Sequence, residues 1–315
     1  MDAVIYGFGP IGRLIAECCV KKGINVVGAV DINPNLIGKR LSDFGIDSSA
    51  EISSKLDFEG DVVFLSTGSF VDGIYPQIED CIKRGFNIVS TCETLSYPYY
   101  RYPELSEKID ALAKEYGVTV LGSGINPGFL LDSLVVVLSA SCTEVNQIRA
   151  IRKIDALKRR EPFQKKIGIG KDKEEVERLL SDGRISGHVG YAESIMLLCT
   201  SMGVRPEKIE EGQKIVLSEG GKIEKGKVAG MIGWGSAFAN GKEIIRIEFH
   251  AVAEAEEYEE VEIKGDNEIR WRSTGTKGDL GTASVIVNLS ERVVAHEAGL
   301  ITMADLIPFR PSFKV

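Results

Sequence analysis

The stretch Gly7-Phe8-Gly9-Pro10-Ile11-Gly12 stands between a short β-branched run and a helical pattern, and it decides the class of fold. In this Gly-x-Gly-x-x-Gly pattern the first glycine permits a tight turn, the second lets the backbone approach a pyrophosphate, and the third lets helix and strand pack closely. The helix that follows offers backbone N–H groups to the phosphates. An ordinary strand-to-helix turn is the alternative. We predict a dinucleotide site that begins with Gly7, Gly9, Pro10, Ile11 and Gly12.

Asp31 supports the dinucleotide interpretation, because an ordinary turn explains the glycines but gives this residue no role. It ends the second predicted strand, 19 residues after Gly12. A carboxylate in this position accepts hydrogen bonds from both hydroxyls of the adenine ribose and repels a 2′-phosphate, so it favours NAD(H). Arg13, Lys39 and Arg40 are close enough in sequence to weaken the preference. We therefore expect NAD or NADP as cofactor, with NAD favoured.

The pattern of elements predicts two domains. Up to about residue 125, short apolar runs alternate with helical patterns, which is typical of a Rossmann doubly wound parallel sheet in an α/β fold. From Glu144 onward, longer alternating strands predict a second α+β domain with a mixed or antiparallel sheet. A helical pattern over 283–298 predicts a return to the first domain. The expected domains are 1–128, with 285–315 packing back on it, and 129–284.

Three later strand ends are expected to line the cofactor crevice, because ligands of open parallel sheets bind beyond the carboxyl ends of the strands. Thr67 and Gly68 follow one such strand, where small residues let the backbone pass close to the nicotinamide ribose. Asn126 lies in a Gly/Pro-rich loop, and its amide could hold the carboxamide. Ordinary turn chemistry is the alternative for each. The three segments are Ser66–Ser69, Ser90–Glu93 and Gly122–Gly128.

Glu93 ends one of these segments, directly after an apolar strand, where a bound nicotinamide would point. A partly desolvated carboxylate can act as a base near neutral pH. The alternative roles are a surface carboxylate or a cap of the following helix. We predict that Glu93 is the catalytic acid–base group.

Composition and charge exclude several classes of protein. The 315 residues carry 38 Lys and Arg against 46 Asp and Glu, and the net charge of −8 argues against a nucleic-acid partner. No apolar run is long enough to span a bilayer, so we expect a cytoplasmic protein without a membrane partner. The three histidines lack metal-ligand spacing, and no metal is expected. Neither a Gly-x-Ser-x-Gly turn nor a Cys/His pair supports hydrolase chemistry.

Six stretches of the chain resemble 2,4-diaminopentanoate dehydrogenase and the related native amine dehydrogenases. The resemblance covers nearly the whole chain and extends to the fold of dihydrodipicolinate reductase, although that enzyme's paired histidines followed by lysine are absent. It implies that Glu93 matches the family's catalytic glutamate. It also implies a homodimer formed through the second domain, with substrate between the domains. The stretches begin at Gly7, Ser90, Ser123, Pro162, Gly187 and Gly299.

The resemblance implies NAD(P)-dependent oxidative deamination of 2,4-diaminopentanoate to 2-amino-4-oxopentanoate and ammonia. The carboxylate and α-ammonium of this small-molecule substrate need fixed partners, and the first candidates are Arg152 and His250, with His188 and Lys166 behind them. A solvated loop is the alternative for the basic stretch 152–166, and a core or turn histidine for His188 and His250. Another reductase of this fold, acting on a cyclic imine or an amino-acid semialdehyde, and a non-catalytic NAD sensor remain alternatives.

Overall fold

The computed structural model describes residues 1–314, which form two compact units. The strands are β1 (Asp2–Tyr6), β2 (Asn25–Val30), β3 (Ile52–Ser53), β4 (Val62–Leu65), β5 (Asn87–Ser90), β6 (Thr119–Gly122), β7 (Glu144–Asp155), β8 (Lys208–Leu217), β9 (Val228–Ala239), β10 (Lys242–Val252), β11 (Tyr258–Gly265), β12 (Ile269–Arg272), β13 (Gly299–Ile301) and β14 (Ser312–Phe313). The helices are α1 (Pro10–Lys21), α2 (Val71–Lys83), α3 (Pro103–Tyr116), α4 (Ser133–Leu138), α5 (Glu161–Lys166), α6 (Lys173–Ser181), α7 (Tyr191–Ser201), α8 (Gly278–Val294) and α9 (Met303–Leu306).

The first unit, Met1–Phe129 with Lys277–Leu306, is built on a parallel sheet in the order β3-β2-β1-β4-β5-β6-β13. Strands β4 and β6 are buried along their whole length, as expected for strands covered on both faces. Proline at the first position of α1 and of α3 starts each helix where its missing N–H costs nothing. The predicted Rossmann sheet is confirmed.

The second unit, Leu130–Thr276 with the tail from Ile307 onward, is built on a mixed sheet in the order β12-β11-β7-β10-β9-β8. Strands β7 and β10 run parallel, and the remaining neighbours on this path are antiparallel. One face packs on α7, where Gly233 and Gly235 let the helix approach: a Cβ on Gly233 would lie 2.1 Å from the Tyr191 hydroxyl oxygen. We call this the helix-covered face and the other the open face.

The chain returns to the first unit earlier than its sequence indicates. The predicted return began at residue 285, whereas α8 begins at Gly278 and the first unit resumes at Lys277. We predicted that residues 285–315 pack on the first unit. This is wrong for the tail from Ile307 onward, which belongs to the second unit. Backbone hydrogen bonds explain this, because β14 pairs with β7 of the second unit, with Ser312 beside Glu144.

Candidate functional site

The carboxyl ends of the parallel strands bring the predicted cofactor residues of the first unit to one edge. Gly7 follows β1, Asp31 follows β2, Ser66 follows β4, Thr91 follows β5 and Ser123 follows β6. Parallel strands all end at the same edge, so five segments that are distant in sequence become neighbours. We call this line of strand ends the carboxyl edge.

The glycine turn has the steric features that its sequence predicts. Gly7 has φ +95°, a left-handed conformation that side chains disfavour. A Cβ on Gly12 would lie 1.9 Å from the carbonyl oxygen of Gly7, so helix α1 can approach β1 only with glycine there. At Gly9, a Cβ would meet nothing within 4 Å. The backbone of Gly9 therefore borders open space, where a bulky group can approach it.

The start of α1 fits a pyrophosphate. Gly9 occupies the N-cap position, and its lack of a side chain leaves the first turn without a side-chain acceptor. The N–H groups of Ile11 and Gly12 have no partner within the helix, because the first turn of any α-helix leaves its donors unsatisfied. Uncapped donors beside an open glycine can bind an anion. These residues fit the phosphates of a dinucleotide.

Asp31 holds the glycine turn as well as bordering the site. One carboxylate oxygen accepts the backbone N–H of Phe8 at 2.7 Å, and the other accepts the N–H of Asn33 at 2.8 Å. The guanidinium carbon of Arg13 lies 4.3 Å from the ring centre of Phe44. A carboxylate and a cation thus both occur beside the turn, which is the combination that the sequence indicated.

The segment after β4 is fastened to the glycine turn and to α2. Ser66 Oγ donates to the carbonyl oxygen of Gly7 at 3.0 Å. Thr67 is exposed, and its hydroxyl donates to the side-chain oxygen of Gln77 on α2. A Cβ on Gly68 would lie 2.8 Å from Ile74, so this position keeps the segment close to α2.

Glu93 begins a single 3-10 turn, Glu93–Ser96, that follows β5 at the carboxyl edge. It is half-buried, whereas the three residues after it are buried. Its neighbour Cys92 is fully buried, and burial raises the pKa of the Cys92 thiol to about 12. The thiol therefore stays neutral near neutral pH.

The loop 122–128 that carries Asn126 is closely packed. A Cβ on Gly128 would lie 2.5 Å from Ser123 Oγ, so the loop folds tightly on itself. The loop has a partner that no sequence pattern indicated, Thr282, whose hydroxyl accepts the backbone N–H of Ile125 at 3.3 Å. Thr282 lies in the first turns of α8, 157 residues further along the chain, and no local pattern marks that contact.

In the second unit, Arg152 is buried on β7 and faces Glu259 of β11. The two residues are direct cross-strand partners, and Arg152 Nε lies 3.3 Å from Glu259 Oε1. Both side chains are at most 5% exposed. Glu259 therefore neutralises the charge of Arg152 inside the protein, as a buried guanidinium requires.

His188 lies beside Arg152 on the helix-covered face. Its ring centre lies 4.8 Å from that of Phe249 and 5.0 Å from that of Tyr191. Burial, with a contribution from the nearby cations Lys166 and Arg152, lowers the pKa of His188 to about 3. Arg152 and His188 lie beside Phe249, and Lys166 lies near His188. Three of the four predicted substrate residues thus form one cluster, with a histidine that is neutral at ordinary pH.

The structure separates His250 from this cluster, although the sequence predicted that Arg152 and His250 would hold the substrate together. Strand residues alternate between faces, and Phe249 is the register partner of Arg152 while His250 is that of Lys153. His250 therefore lies on the open face, where its Nε2 is 2.7 Å from Glu248 Oε2. That contact is the first cause that lowers the pKa of Glu248 to about 2.

The described residues contain neither a metal-binding cluster nor a membrane-spanning helix. Among residues 1–314, no group of three or more His, Cys, Asp or Glu side chains is arranged to hold a metal ion. No helix in that same range is both long and apolar enough to cross a membrane.

Comparison with known proteins identifies the family. Residues 129–311, more than half of the chain, match the family described as the 2,4-diaminopentanoate dehydrogenase C-terminal domain. The chain is 30% identical to 2,4-diaminopentanoate dehydrogenase of Acetoanaerobium sticklandii, over 97% of its own length and 93% of that protein's.

Solved structures share the fold. An amine dehydrogenase from Mycobacterium smegmatis superposes with a TM-score of 0.87 at 19% identity, covering 99% of this chain and 98% of that one. GenD2 from gentamicin A biosynthesis, in complex with NAD, superposes with a TM-score of 0.56 at 14% identity, covering 93% and 85%. With the sequence match along almost its whole length, the chain belongs to the 2,4-diaminopentanoate dehydrogenase family.

Proposed function

We propose that this protein is a nicotinamide-dependent amine dehydrogenase that converts 2,4-diaminopentanoate into 2-amino-4-oxopentanoate and ammonia. The observation that carries the proposal is the position of Glu93. This half-buried carboxylate follows β5 at the carboxyl edge that also bears the glycine turn and Asp31. The name of the relative from Acetoanaerobium sticklandii supports the substrate, and the NAD complex of GenD2 supports the cofactor.

Glu93 supplies the proton transfers of this reaction. Its carboxylate takes a proton from the C4 ammonium of the substrate, which frees the amine lone pair. An oxidised nicotinamide, when bound, accepts the hydride that leaves C4. After it has released this first proton to solvent, Glu93 takes a proton from the water that adds to the resulting iminium carbon and donates it to the nitrogen. Collapse of this carbinolamine breaks the C–N bond and releases ammonia, and the reverse sequence is reductive amination of the ketone.

Lys166 is the cation that we assign to the substrate carboxylate. Arg152 shares its cluster but is already neutralised by Glu259, so it adds N–H donors and little net charge. Lys166 lies close enough to lower the pKa of His188 and keeps part of its surface exposed. A partly exposed ammonium on a flexible stem can reach an entering carboxylate, whereas the buried guanidinium of Arg152 is held by Glu259.

NAD(H) is the preferred cofactor in this proposal, because Asp31 opposes a 2′-phosphate. The guanidinium of Arg13, which stacks on the ring of Phe44, weakens the preference for NAD(H) over NADP(H). We expect kcat/KM with NAD⁺ to be at least as high as with NADP⁺. A preference for NADP⁺ of more than about tenfold, which corresponds to about 1.4 kcal/mol, would show that the cations outweigh Asp31.

The open face of the second unit is the surface for a second copy of the chain. Arg149 and Arg246 both lie within 3.7 Å of Glu248, and with Glu243 they line a polar depression of about 440 Å³. A face that carries both signs of charge can pair with itself about a two-fold axis. We expect a dimer in sedimentation experiments and a monomer for Arg246→Glu, whereas a wild-type monomer at micromolar concentration would refute this assignment.

The test of the function is NADH formation with three related amines. The first is 2,4-diaminopentanoate, the second is butane-1,3-diamine, which lacks only the carboxylate among the functional groups, and the third is 4-aminopentanoate, which lacks only the α-amine. We expect the first to have the highest kcat/KM. Equal efficiency for all three would exclude the carboxylate clamp, and no turnover of any of them would refute the proposed reaction.

A further inference from the structure

Thr94 connects the turn that carries Glu93 to the segment that follows β4. Its side chain is fully buried. Thr94 Oγ1 accepts the backbone N–H of Val71 at 2.9 Å and donates to the carbonyl oxygen of Ser69 at 3.2 Å. The backbone N–H of Thr94 donates to the same carbonyl oxygen at 3.2 Å. One residue thus forms three hydrogen bonds to two residues, Ser69 and Val71, across a gap of more than 20 positions in sequence.

These bonds replace a missing helix cap. Val71 is the first residue of α2, and the N-cap residue Phe70 gives that helix no side-chain hydrogen bond. The first N–H groups of a helix need an acceptor from outside it. Thr94 Oγ1 supplies one to Val71 from a different element, so the start of α2 and the 3-10 turn hold each other in place.

The other flank of the turn is held by packing. A Cβ on Gly122, at the end of β6, would lie 2.3 Å from the carbonyl carbon of Leu95 and 2.6 Å from the nitrogen of Ser96. The chain entering the turn is fixed as well, because Cys92 N–H donates to Ser90 Oγ at 3.1 Å. The backbone of the turn is therefore held on both flanks, by β6 on one side and by Ser69 on the other.

We propose that Thr94 is a positioning residue that fixes the Glu93 carboxylate relative to the cofactor segment 66–69. The inference rests on the proposed function of Glu93. Proton transfer requires the base within hydrogen-bond reach of the reacting amine, and a misplacement of about 1 Å can cost about 100-fold in rate. Thr94 itself touches neither substrate nor cofactor in this role.

The experiment compares Thr94→Val with Thr94→Ser and a matched control. Valine keeps the shape of threonine but removes the hydroxyl, whereas serine keeps the hydroxyl. The control is Thr119→Val. Thr119 is also buried in the first unit, and its Oγ1 donates to the carbonyl oxygen of Glu297 at 3.1 Å. It differs from Thr94 in that it lies at the opposite end of β6 from the carboxyl edge.

We expect Thr94→Val to lower kcat between about 10- and 100-fold while KM for the amine and Kd for NADH stay within about twofold. Thr94→Ser should recover most of kcat, and Thr119→Val should leave kcat within about twofold. A kcat of Thr94→Val within twofold of wild type would overturn the proposal, and so would equal losses in Thr94→Val and Thr119→Val.

Amide hydrogen exchange tests the same role without relying on turnover. Thr94→Val should lose protection at the Val71 amide and across 93–96, and Thr119→Val should not. If the wild type turned over no amine, the proposed function would fail, and exchange would still decide whether Thr94 holds the turn. Unchanged protection of residues 93–96 in Thr94→Val would overturn the positioning role in either case.

Discussion

The two sheets of this protein place polar groups in different ways. In the first unit, the residues of the candidate site lie just beyond strand ends, where parallel strands finish at one edge and the backbone forms turns. In the second unit, Arg152 and His250 lie within long strands, and the alternation of side chains decides which face each occupies. A site at strand ends tolerates small shifts of strand register, whereas a site within strands is inverted by a shift of one residue.

Among substitutions that test this difference between the two units, the largest loss of function is expected at the glycine turn. Gly12→Ala places a Cβ where the carbonyl oxygen of Gly7 is 1.9 Å away, so strand and helix are forced apart. We expect NADH binding to become undetectable by isothermal titration calorimetry and the free energy of unfolding to fall by about 3 kcal/mol.

The matched control is Gly9→Ala in the same turn. A Cβ there meets nothing within 4 Å, so the fold should keep its wild-type stability. Because this glycine lets the backbone approach the pyrophosphate, NADH binding should still weaken at least about tenfold. Wild-type NADH affinity in Gly9→Ala would mean that the phosphates bind elsewhere.

A comparable loss of stability, without the loss of NADH binding, is expected inside the second unit, where Glu259 and Glu260 of β11 lie on opposite faces. Glu259 neutralises the buried Arg152, so Glu259→Gln leaves a buried cation and should cost about 3–5 kcal/mol. Its neighbour Glu260 pairs with the exposed Arg270 and Arg272, and Glu260→Gln should cost at most about 1 kcal/mol. Urea unfolding of the two variants measures the difference, and equal costs would contradict the assignment of the two faces.

A smaller effect, measured as kcat/KM, distinguishes the helix-covered face of the second unit from its open face. Lys166→Met should lower kcat/KM for 2,4-diaminopentanoate about 10- to 100-fold, which is the contribution of one hydrogen bond to a charged group, and leave butane-1,3-diamine unaffected. Lys165→Met is the control on the same helix, because Lys165 is exposed and pairs with Glu161. His250→Gln, on the open face, should also stay within about twofold. A larger loss of kcat/KM in His250→Gln than in Lys166→Met would reverse this assignment.

The smallest expected effect is a pH dependence of stability. The pKa of His188 is about 3 in the folded protein and about 6.5 when unfolded, so below pH 6.5 the unfolded chain binds a proton that the folded chain does not. This contribution to stability is present above pH 6.5 and is lost as the pH falls toward 3. Between pH 7.5 and 5.5 the loss is about 1.4 kcal/mol.

His188→Phe keeps an aromatic ring beside Phe249 and cannot titrate. The free energy of unfolding is measured in urea at pH 7.5 and at pH 5.5. Between these pH values it should fall by about 1.4 kcal/mol less in His188→Phe than in the wild type. Parallel pH dependences of wild type and His188→Phe would contradict the neutral, desolvated state of the histidine.

The first unit could be predicted from sequence because its signals are local. The glycine turn, Asp31 and Glu93 each follow a recognisable strand, and parallel topology then places them at one edge. The hydrogen bond between Ile125 and Thr282 could not be predicted, because it joins segments 157 residues apart.

In the second unit the alternation of polar and apolar residues along each strand already indicates which face a side chain occupies. Along β10, His250 falls in phase with Arg246 and Glu248, which marks the polar face. Along β7, Arg152 falls in phase with the apolar Ala150 and Ile154, which marks the buried face. The pairing of β7 with β10, and with it the neighbour of each residue, became visible only in the structure.

The most direct test of the central claim is kcat of Glu93→Gln with 2,4-diaminopentanoate and saturating NAD⁺. Glutamine keeps the shape of the side chain and cannot accept a proton, so folding and NADH affinity should stay close to wild type. General acid–base groups contribute about 10²–10⁴-fold, and we expect kcat to fall within that range. A variant that keeps more than about a third of wild-type kcat, or one that no longer binds NADH, would contradict the assignment of Glu93 as the proton-transfer group.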